Sequence, residues 1–149
     1  MVILSEWHMS PLGQTGYLGE VVSGRDFSPK GWTPVSLPGT SVAHLAKAGK
    51  IDDPYFGTNM QKIPGYKVGC DTHFAFHPMP LDSPFRTPLW YHTTFENDSG
   101  WNERVWLKFK GINFKADIWI NGKRVAASSA IAGSYRMYDL DVTPFAKSG

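Results

Sequence analysis

Carboxylate, aromatic and amide side chains come together in one short segment of this 149-residue chain, residues 52–59. Two aspartates, a proline and a tyrosine open the segment and an asparagine closes it, a mixture of groups that suits a sugar. An acidic pair in a loop is more often simply solvated, so both interpretations stay open at this stage. The candidate substrate-binding residues are Asp53, Tyr55 and Asn59, together with Trp90, whose ring could stack on a sugar or anchor a core.

Two other sets of residues could take part in catalysis or metal binding, but a structural role explains each of them more simply. Asn102 and Glu103 could form a catalytic carboxylate with its helper amide, yet glycoside hydrolysis usually needs two carboxyl groups and no second acid is obviously aimed at Glu103. His73 and His77 have a metal-ligand spacing only if their segment is helical, and Pro78 argues against a helix. The sequence therefore predicts no catalytic residue and no metal site.

Motifs for the common cofactors and nucleophiles are missing from the sequence. It contains no G-x-S-x-G elbow, no P-loop and no G-x-G-x-x-G run, so we predict no cofactor. Cys70 is the single cysteine, which rules out an internal disulfide, and no histidine is arranged beside it in sequence to activate a thiol.

The elements that position these candidate residues should be arranged around the stretch Val105–Val125. Apolar and polar side chains alternate over 105–110 and again over 114–121, which is the period of a strand with one buried face. Asn121-Gly122 supplies two residues that tolerate positive φ, as a tight type I′ hairpin requires. Paired strands need further strands to be stable, so the stretch predicts the centre of an antiparallel β domain.

Shorter patterns complete the predicted organisation. We expect residues 1–16 to be a lead-in and residues 17–149 a single β-sandwich sugar-binding domain. Alternation and turn signals predict strands at 17–22, 32–37, 90–96, 103–110 and 134–142. One short helix is predicted at Ser41–Ala48, capped by Thr40 or Ser41 and ended by Gly49. Residues 49–89 are rich in proline and aromatic rings, and we expect an ordered excursion there.

Composition and charge exclude several classes of partner. The chain is 42% hydrophobic and 19% charged, with a net charge of +2 and no basic run, so neither nucleic acid nor an anionic membrane is a predicted partner. No apolar run approaches the roughly 20 residues that span a bilayer. The short apolar patch near the start has no charged leader, so we predict no signal peptide.

A series of motifs in a fixed order resembles one known family. The motifs are Trp32–Pro38, Asp53–Asn59, Pro88–Phe95, Gly111–Asn113, Ala116–Gly122 and Tyr138–Thr143. Together they resemble the N-terminal sugar-binding domain of family 2 glycoside hydrolases. The D-P-x-x-x-x-N loop, and an A-G-S-Y run ahead of D-L-D-V-T, are most similar to the exo-β-D-glucosaminidase and β-mannosidase branch.

This resemblance implies an all-β fold, an antiparallel jelly-roll sandwich of the galactose-binding-like type. It also implies a parent enzyme, a retaining exo-β-glycosidase that removes a terminal β-linked sugar, possibly glucosamine or mannose. In that family a downstream barrel carries the two catalytic glutamates, and neither can be placed in this chain. The Asp53–Asn59 loop matches the segment that lies toward the active-site side, and His92 replaces the usual arginine after the Trp-Tyr pair.

The implied partners are a carbohydrate substrate and downstream domains of the same chain, and the isolated segment is expected to be inactive. A polysaccharide-degrading parent slightly favours a periplasmic or secreted location, although the sequence does not fix the compartment. The alternatives are a stand-alone carbohydrate-binding module without a catalytic partner, and a bare interaction domain that binds no sugar.

Overall fold

The computed structural model describes residues 2–63, 81, 83–97 and 103–146. The chain forms two compact units, the first made of residues 1–16 and 29–93 and the second of residues 17–28 and 94–149. The strands are β1 (Glu6–Pro11), β2 (Thr33–Ser36), β3 (Leu89–His92), β4 (Trp106–Phe109), β5 (Ile118–Ile120), β6 (Lys123–Ala126) and β7 (Tyr138–Asp141). The helices are α1 (Leu12–Thr15), α2 (Gly19–Val22) and α3 (Ser41–Lys47), with 3₁₀ turns at Asn59–Lys62 and Pro84–Arg86.

The sheet of the first unit has the strand order β2-β1-β3 and is antiparallel throughout. In its middle strand, His8 lies opposite Pro34 of β2 on one side and opposite His92 of β3 on the other. Proline cannot donate a backbone hydrogen bond, so it suits β2, which has only one strand neighbour in the described sheet. Met9 and Val35 are buried and form part of the apolar interior of this unit.

The strand β1 corrects the prediction that residues 1–16 are only a lead-in. Residues 6–11 form the middle strand of a sheet, and Met9 and Ser10 are both buried although they are neighbours in sequence. A strand whose successive residues are both covered lacks the apolar–polar alternation on which the prediction relied. The strand predicted at 17–22 is also wrong, because residues 19–22 form the helix α2.

The helix α3 confirms the helix predicted at Ser41–Ala48. Thr40 precedes it in an extended conformation, and its side-chain hydroxyl accepts a hydrogen bond from the backbone N–H of Ala43 at 3.2 Å. Gly49 follows with a φ of +68°, a left-handed conformation that glycine adopts at low cost. The expectation of a single short helix is wrong, because α1 and α2 add two four-residue helices.

The second unit is built from two antiparallel ribbons. The strands β5 and β6 form a hairpin whose turn residues Asn121 and Gly122 have φ values of +48° and +78°, which confirms the predicted turn. The strand β4 pairs with β7, far along the sequence, rather than with its nearest neighbour β5. Both ribbons contribute to one apolar cluster around Ile120, Val142 and Ala146.

The D-L-D-V-T motif has a structural explanation at the end of β7. The Asp141 carboxylate accepts hydrogen bonds from the backbone N–H and the hydroxyl of Thr143. The Thr143 hydroxyl oxygen in turn accepts a 2.9 Å hydrogen bond from the backbone N–H of Val105, just before β4. These hydrogen bonds connect the end of β7 to the start of β4. The sheets of the described residues are thus all antiparallel, with strands as the main regular element, as predicted, while the jelly-roll connectivity stays a prediction.

Candidate functional site

The segment that carries the candidate residues begins where α3 ends. Gly49 reverses the chain direction, and the backbone N–H of Lys50 donates to the carbonyl of Leu45 at 2.9 Å. The Lys50 ammonium then donates to the hydroxyl of Thr33 on β2 at 2.6 Å, and Thr33 itself is buried. The start of the loop is therefore attached both to the helix and to the sheet of the first unit.

Asp53 and Asn59 hold the loop in one conformation. The Asp53 carboxylate accepts a hydrogen bond from the backbone N–H of Tyr55 at 2.9 Å, an Asx turn. The Asp53 carbonyl accepts from the backbone N–H of Phe56 at 3.2 Å and from the side-chain amide of Asn59 at 3.0 Å. Each end of the D-P-x-x-x-x-N motif is thus bonded to the loop itself, which explains why those residue types stand at that spacing.

The consequence of these bonds is that two aromatic rings are held out from the surface. Tyr55 is 96% exposed and Phe56 is 75% exposed, although both lie on a loop with several internal hydrogen bonds. Gly57, with a φ of +53°, allows the sharp turn that follows them. Large exposed rings on an ordered loop are typical of a surface that binds something apolar on one face and polar at its edge, as a sugar is.

A depression of about 240 Å³ lies beside this loop. Its lining residues are Lys50, Ile51, Asp52, Asn59, Lys62 and Ile63. Asn59 therefore connects the loop to the depression, whereas Asp53 and Tyr55 do not line it. The Lys62 ammonium and the Asp52 carboxylate are 3.5 Å apart, but both side chains are well exposed, so this ion pair adds little stability.

Trp90 lies on another element, the strand β3, opposite Ser10 of β1. Its ring is half-buried, and its indole N–H is buried with no acceptor among the described residues. Within that part of the chain, no hydrogen bond or ring contact joins Trp90 to the Asp53–Asn59 loop. The structure thus brings three of the four predicted residues together and leaves Trp90 on a separate strand.

Two histidines that the site predictions did not include lie near Trp90 in the first unit. His44 of α3 is buried and packs edge-on to Tyr91 with the ring centroids 6.3 Å apart, and burial lowers its pKa. His92 is also buried, and both burial and the neighbouring His8 lower its pKa. Trp32 packs edge-on to His92 at 6.3 Å. The two histidine rings are interior groups of the fold. The helical spacing of α3 was the only sequence signal that could have predicted the burial of His44.

The remaining candidates add no chemistry to the described structure. Glu103 is exposed and precedes β4, while Asn102, Cys70, His73 and His77 lie outside the described residues. Among the residues that are described, no three His, Cys, Asp or Glu side chains are grouped closely enough to hold a metal ion. No helix in the same residues has the length and apolar character to cross a membrane.

Comparisons with known proteins place this architecture in a family. The family described as "glycosyl hydrolase 2 galactose-binding domain-like" matches residues 19–149. The exo-β-D-glucosaminidase of Amycolatopsis orientalis is 35% identical over 128 residues, which are 86% of this chain and 11% of that enzyme. The enzyme of the same name from Streptomyces avermitilis is 32% identical over 128 residues, 86% of this chain and 12% of that protein.

A solved structure agrees with the sequence comparisons. The crystal structure of the Amycolatopsis orientalis exo-chitosanase CsxA superposes with a TM-score of 0.80 at 32% identity, covering 98% of this chain and 15% of that one. The chain thus spans only about a tenth of the length of the curated relatives it matches. The resemblance inferred from the ordered motifs is confirmed, and the chain belongs to the galactose-binding domain-like family of glycosyl hydrolase 2 proteins.

Proposed function

We propose that this chain is the N-terminal β-sandwich domain of a retaining glycoside hydrolase that removes terminal β-linked sugars, with glucosamine as the preferred sugar. In this proposal the domain does no chemistry itself. Its Asp53–Asn59 loop forms one wall of the substrate pocket of a barrel elsewhere in the protein. The names of the relatives support the choice of an amino sugar, and the small share of their length that the chain spans supports a catalytic centre outside it.

The exposed ring of Tyr55 is the observation that carries the proposal. A tyrosine that is 96% exposed contributes almost nothing to folding, yet the hydrogen bonds of Asp53 and Asn59 fix the backbone on which it stands. Holding a ring in place before the ligand arrives reduces the entropy lost on binding. An aromatic face with a hydroxyl at its edge can contact the C–H face of a sugar and one of its hydroxyl groups.

The other candidate residues have supporting parts in this proposal. Asp53 and Asn59 are positioning residues, because the bonds that they form lie within the loop. The side chain of Asn59 also lines the adjacent depression, so its oxygen can accept a hydrogen bond from a sugar hydroxyl there. Trp90 would act from the sheet, where the exposed part of its half-buried ring can stack on a sugar.

The test compares two exposed tyrosines in the full-length protein. Tyr55→Ala removes the proposed contact, and Tyr135→Ala is the matched control, since Tyr135 is 100% exposed and lies in the second unit. Losing one aromatic contact of about 1.4 kcal/mol corresponds to a tenfold change. We therefore expect kcat/KM on a nitrophenyl β-D-glucosaminide to fall about tenfold for Tyr55→Ala, with an unchanged Tm, and to stay unchanged for Tyr135→Ala.

Equal activity of Tyr55→Ala and wild type would show that the loop is not part of the substrate pocket. Hydrolysis by the 149-residue chain alone, abolished by Glu103→Gln, would contradict the assignment of a non-catalytic domain. If sugar binding responds to Tyr55→Ala but the full-length protein hydrolyses no glycoside, the chain is instead a carbohydrate-binding module without a catalytic partner.

A further inference from the structure

The described residues that line a cleft of about 500 Å³ all belong to the second unit, on a segment to which no motif assigns a role. The residues that matter for its chemistry lie just before α2, on α2 and on the turn that follows it: Tyr17, Glu20, Val21, Arg25, Asp26 and Phe27. Its volume falls within the roughly 300–1,000 Å³ of ordinary small-ligand pockets. It combines aromatic rings with carboxylates, so its lining differs from an apolar docking groove.

The aromatic part of the cleft is a preformed pair of rings. Tyr17 and Phe27 pack edge to face, with centroids 5.5 Å apart and an angle of 81° between the ring planes. Tyr17 nevertheless remains 48% exposed, so much of its ring is uncovered in the described structure. An aromatic side chain held by a neighbouring ring offers a flat apolar face without needing to be ordered by the ligand.

The central hairpin fixes the backbone that carries these rings. The backbone N–H of Gly122 donates to both the carbonyl and the hydroxyl oxygen of Ser23, at 3.2 and 3.0 Å. The Ser23 hydroxyl donates to the carbonyl of Gly19 at 2.8 Å, so the turn is bonded at once to the hairpin and to α2. Gly19 of the helix lies against the indole of Trp119, so close that an added Cβ atom would overlap the ring unless one of them moved.

The charged side chains among the described lining residues carry an excess of negative charge. Glu20 and Asp26 are exposed carboxylates, and neither forms an ion pair within the part of the chain that the structure describes. Arg25 supplies one positive charge, so these three lining side chains have a net formal charge of −1. A ligand with a positively charged group and a C–H-rich face matches such a lining, through charge-assisted hydrogen bonds and contact with the ring of Tyr17.

We propose that this cleft is a second sugar-binding site, which binds a protonated hexosamine unit. Its ammonium group is directed to Glu20 and Asp26, and its C–H face lies on Tyr17. The choice of an amino sugar rests on the proposed function, whereas the preference for a cationic ligand rests on the cleft. A site of this kind would keep the protein on a polymer of β-linked glucosamine independently of the Asp53–Asn59 loop.

The experiment is a depletion assay of the full-length protein at pH 6. The protein is incubated in the cold with insoluble chitosan or with its neutral N-acetylated counterpart, chitin, and the unbound fraction is measured. We expect retention on chitosan, a loss of apparent affinity of about tenfold for Tyr17→Ala and for Glu20→Gln, and wild-type retention for Tyr17→Phe. The control Glu103→Gln removes an exposed carboxylate elsewhere on the second unit and should leave retention unchanged.

Free glucosamine added as a competitor distinguishes recognition of a single unit, which it displaces, from recognition of the polymer, which it does not. Equal retention on chitosan and chitin would overturn the proposed role of the carboxylates, and wild-type retention by Tyr17→Ala would overturn the site itself. The outcome is separable from that of the proposed function, because Tyr17→Ala should keep full kcat/KM on a nitrophenyl β-D-glucosaminide, whereas Tyr55→Ala should lose it.

Discussion

Replacing Gly19 by alanine is a direct test of the packing that supports α2. A Cβ atom built on Gly19 lies 2.2 Å from Cε2 and 2.5 Å from Cδ2 of Trp119, whereas carbon atoms in normal contact are about 3.5–4.0 Å apart. Either the helix or the indole must therefore move by more than about 1 Å. The guanidinium of Arg124 also lies over the indole, 5.7 Å from the ring centroid, so a shift of the ring would disturb this contact.

The size of the effect follows from two opposing contributions. Overpacking of a closed site costs about 1–3 kcal/mol, and an overlap with a rigid ring belongs at the upper end of that range. Replacing glycine by alanine gains up to about 1 kcal/mol, because it reduces the conformational entropy of the unfolded chain. We therefore expect Gly19→Ala to lower the free energy of unfolding by about 2 kcal/mol, which corresponds to a fall in Tm of about 4–8 °C for a protein of this size.

Urea unfolding followed by tryptophan fluorescence measures this change, with Gly13→Ala as the matched control. Gly13 also lies in a four-residue helix, and a Cβ atom there would meet nothing within 4 Å, so that substitution should be neutral or slightly stabilising. In a Trp119→Ala background the cost at position 19 should disappear, since the clashing ring is gone. A loss of stability for Gly19→Ala no larger than that for Gly13→Ala would refute the packing argument.

Three further predictions test the first unit. Burial lowers the pKa of His44 below its usual 6.5, so the folded state binds fewer protons than the unfolded state near that pH. The contribution of His44 to stability is therefore complete above about pH 6.5 and falls as the pH drops. The urea midpoint of His44→Leu should accordingly vary less between pH 7 and pH 5 than that of wild type. Thr40→Ala removes the hydroxyl that accepts the N–H of Ala43 and should cost about 1 kcal/mol in urea unfolding, while Thr40→Ser should restore most of it; equal midpoints for the two variants would argue against the cap. Asp53→Asn keeps an acceptor for the N–H of Tyr55, so it should retain more kcat/KM in the full-length protein than Asp53→Ala, and the reverse order would show that the negative charge, rather than the loop geometry, is what matters.

Elements set by a few neighbouring residues could be predicted from the sequence. The helix α3 is capped by Thr40 and followed by Gly49, so both of its ends could be predicted from the sequence. The Asn121-Gly122 turn was equally clear, because few residue pairs adopt positive φ at two successive positions. The strand β2 followed from alternation alone and lies within the predicted range 32–37.

Elements set by distant partners could not be predicted in the same way. The strand β1 lies between two strands and is covered along successive residues, so its sequence has no alternating pattern. The partner of β4 is β7 rather than the neighbouring β5, and no local pattern specifies which of two strands will pair. In the candidate site, the chemistry of the Asp53–Asn59 loop was predictable, but the use of both end residues to hold Tyr55 depends on a backbone shape that the sequence alone did not show.

The position of β1 at the centre of its sheet also constrains how the chain folds as it leaves the ribosome. One edge of β1 can pair with β2 soon after synthesis, but the other edge waits for β3, whose first residue, Leu89, follows the last residue of β1, Pro11, by 78 positions (89 − 11). At typical translation rates that interval lasts about 4–16 s. During that interval, the unpaired backbone groups of β1 are open to other nascent chains, so a chaperone that covers Glu6–Pro11 would protect the step most exposed to aggregation.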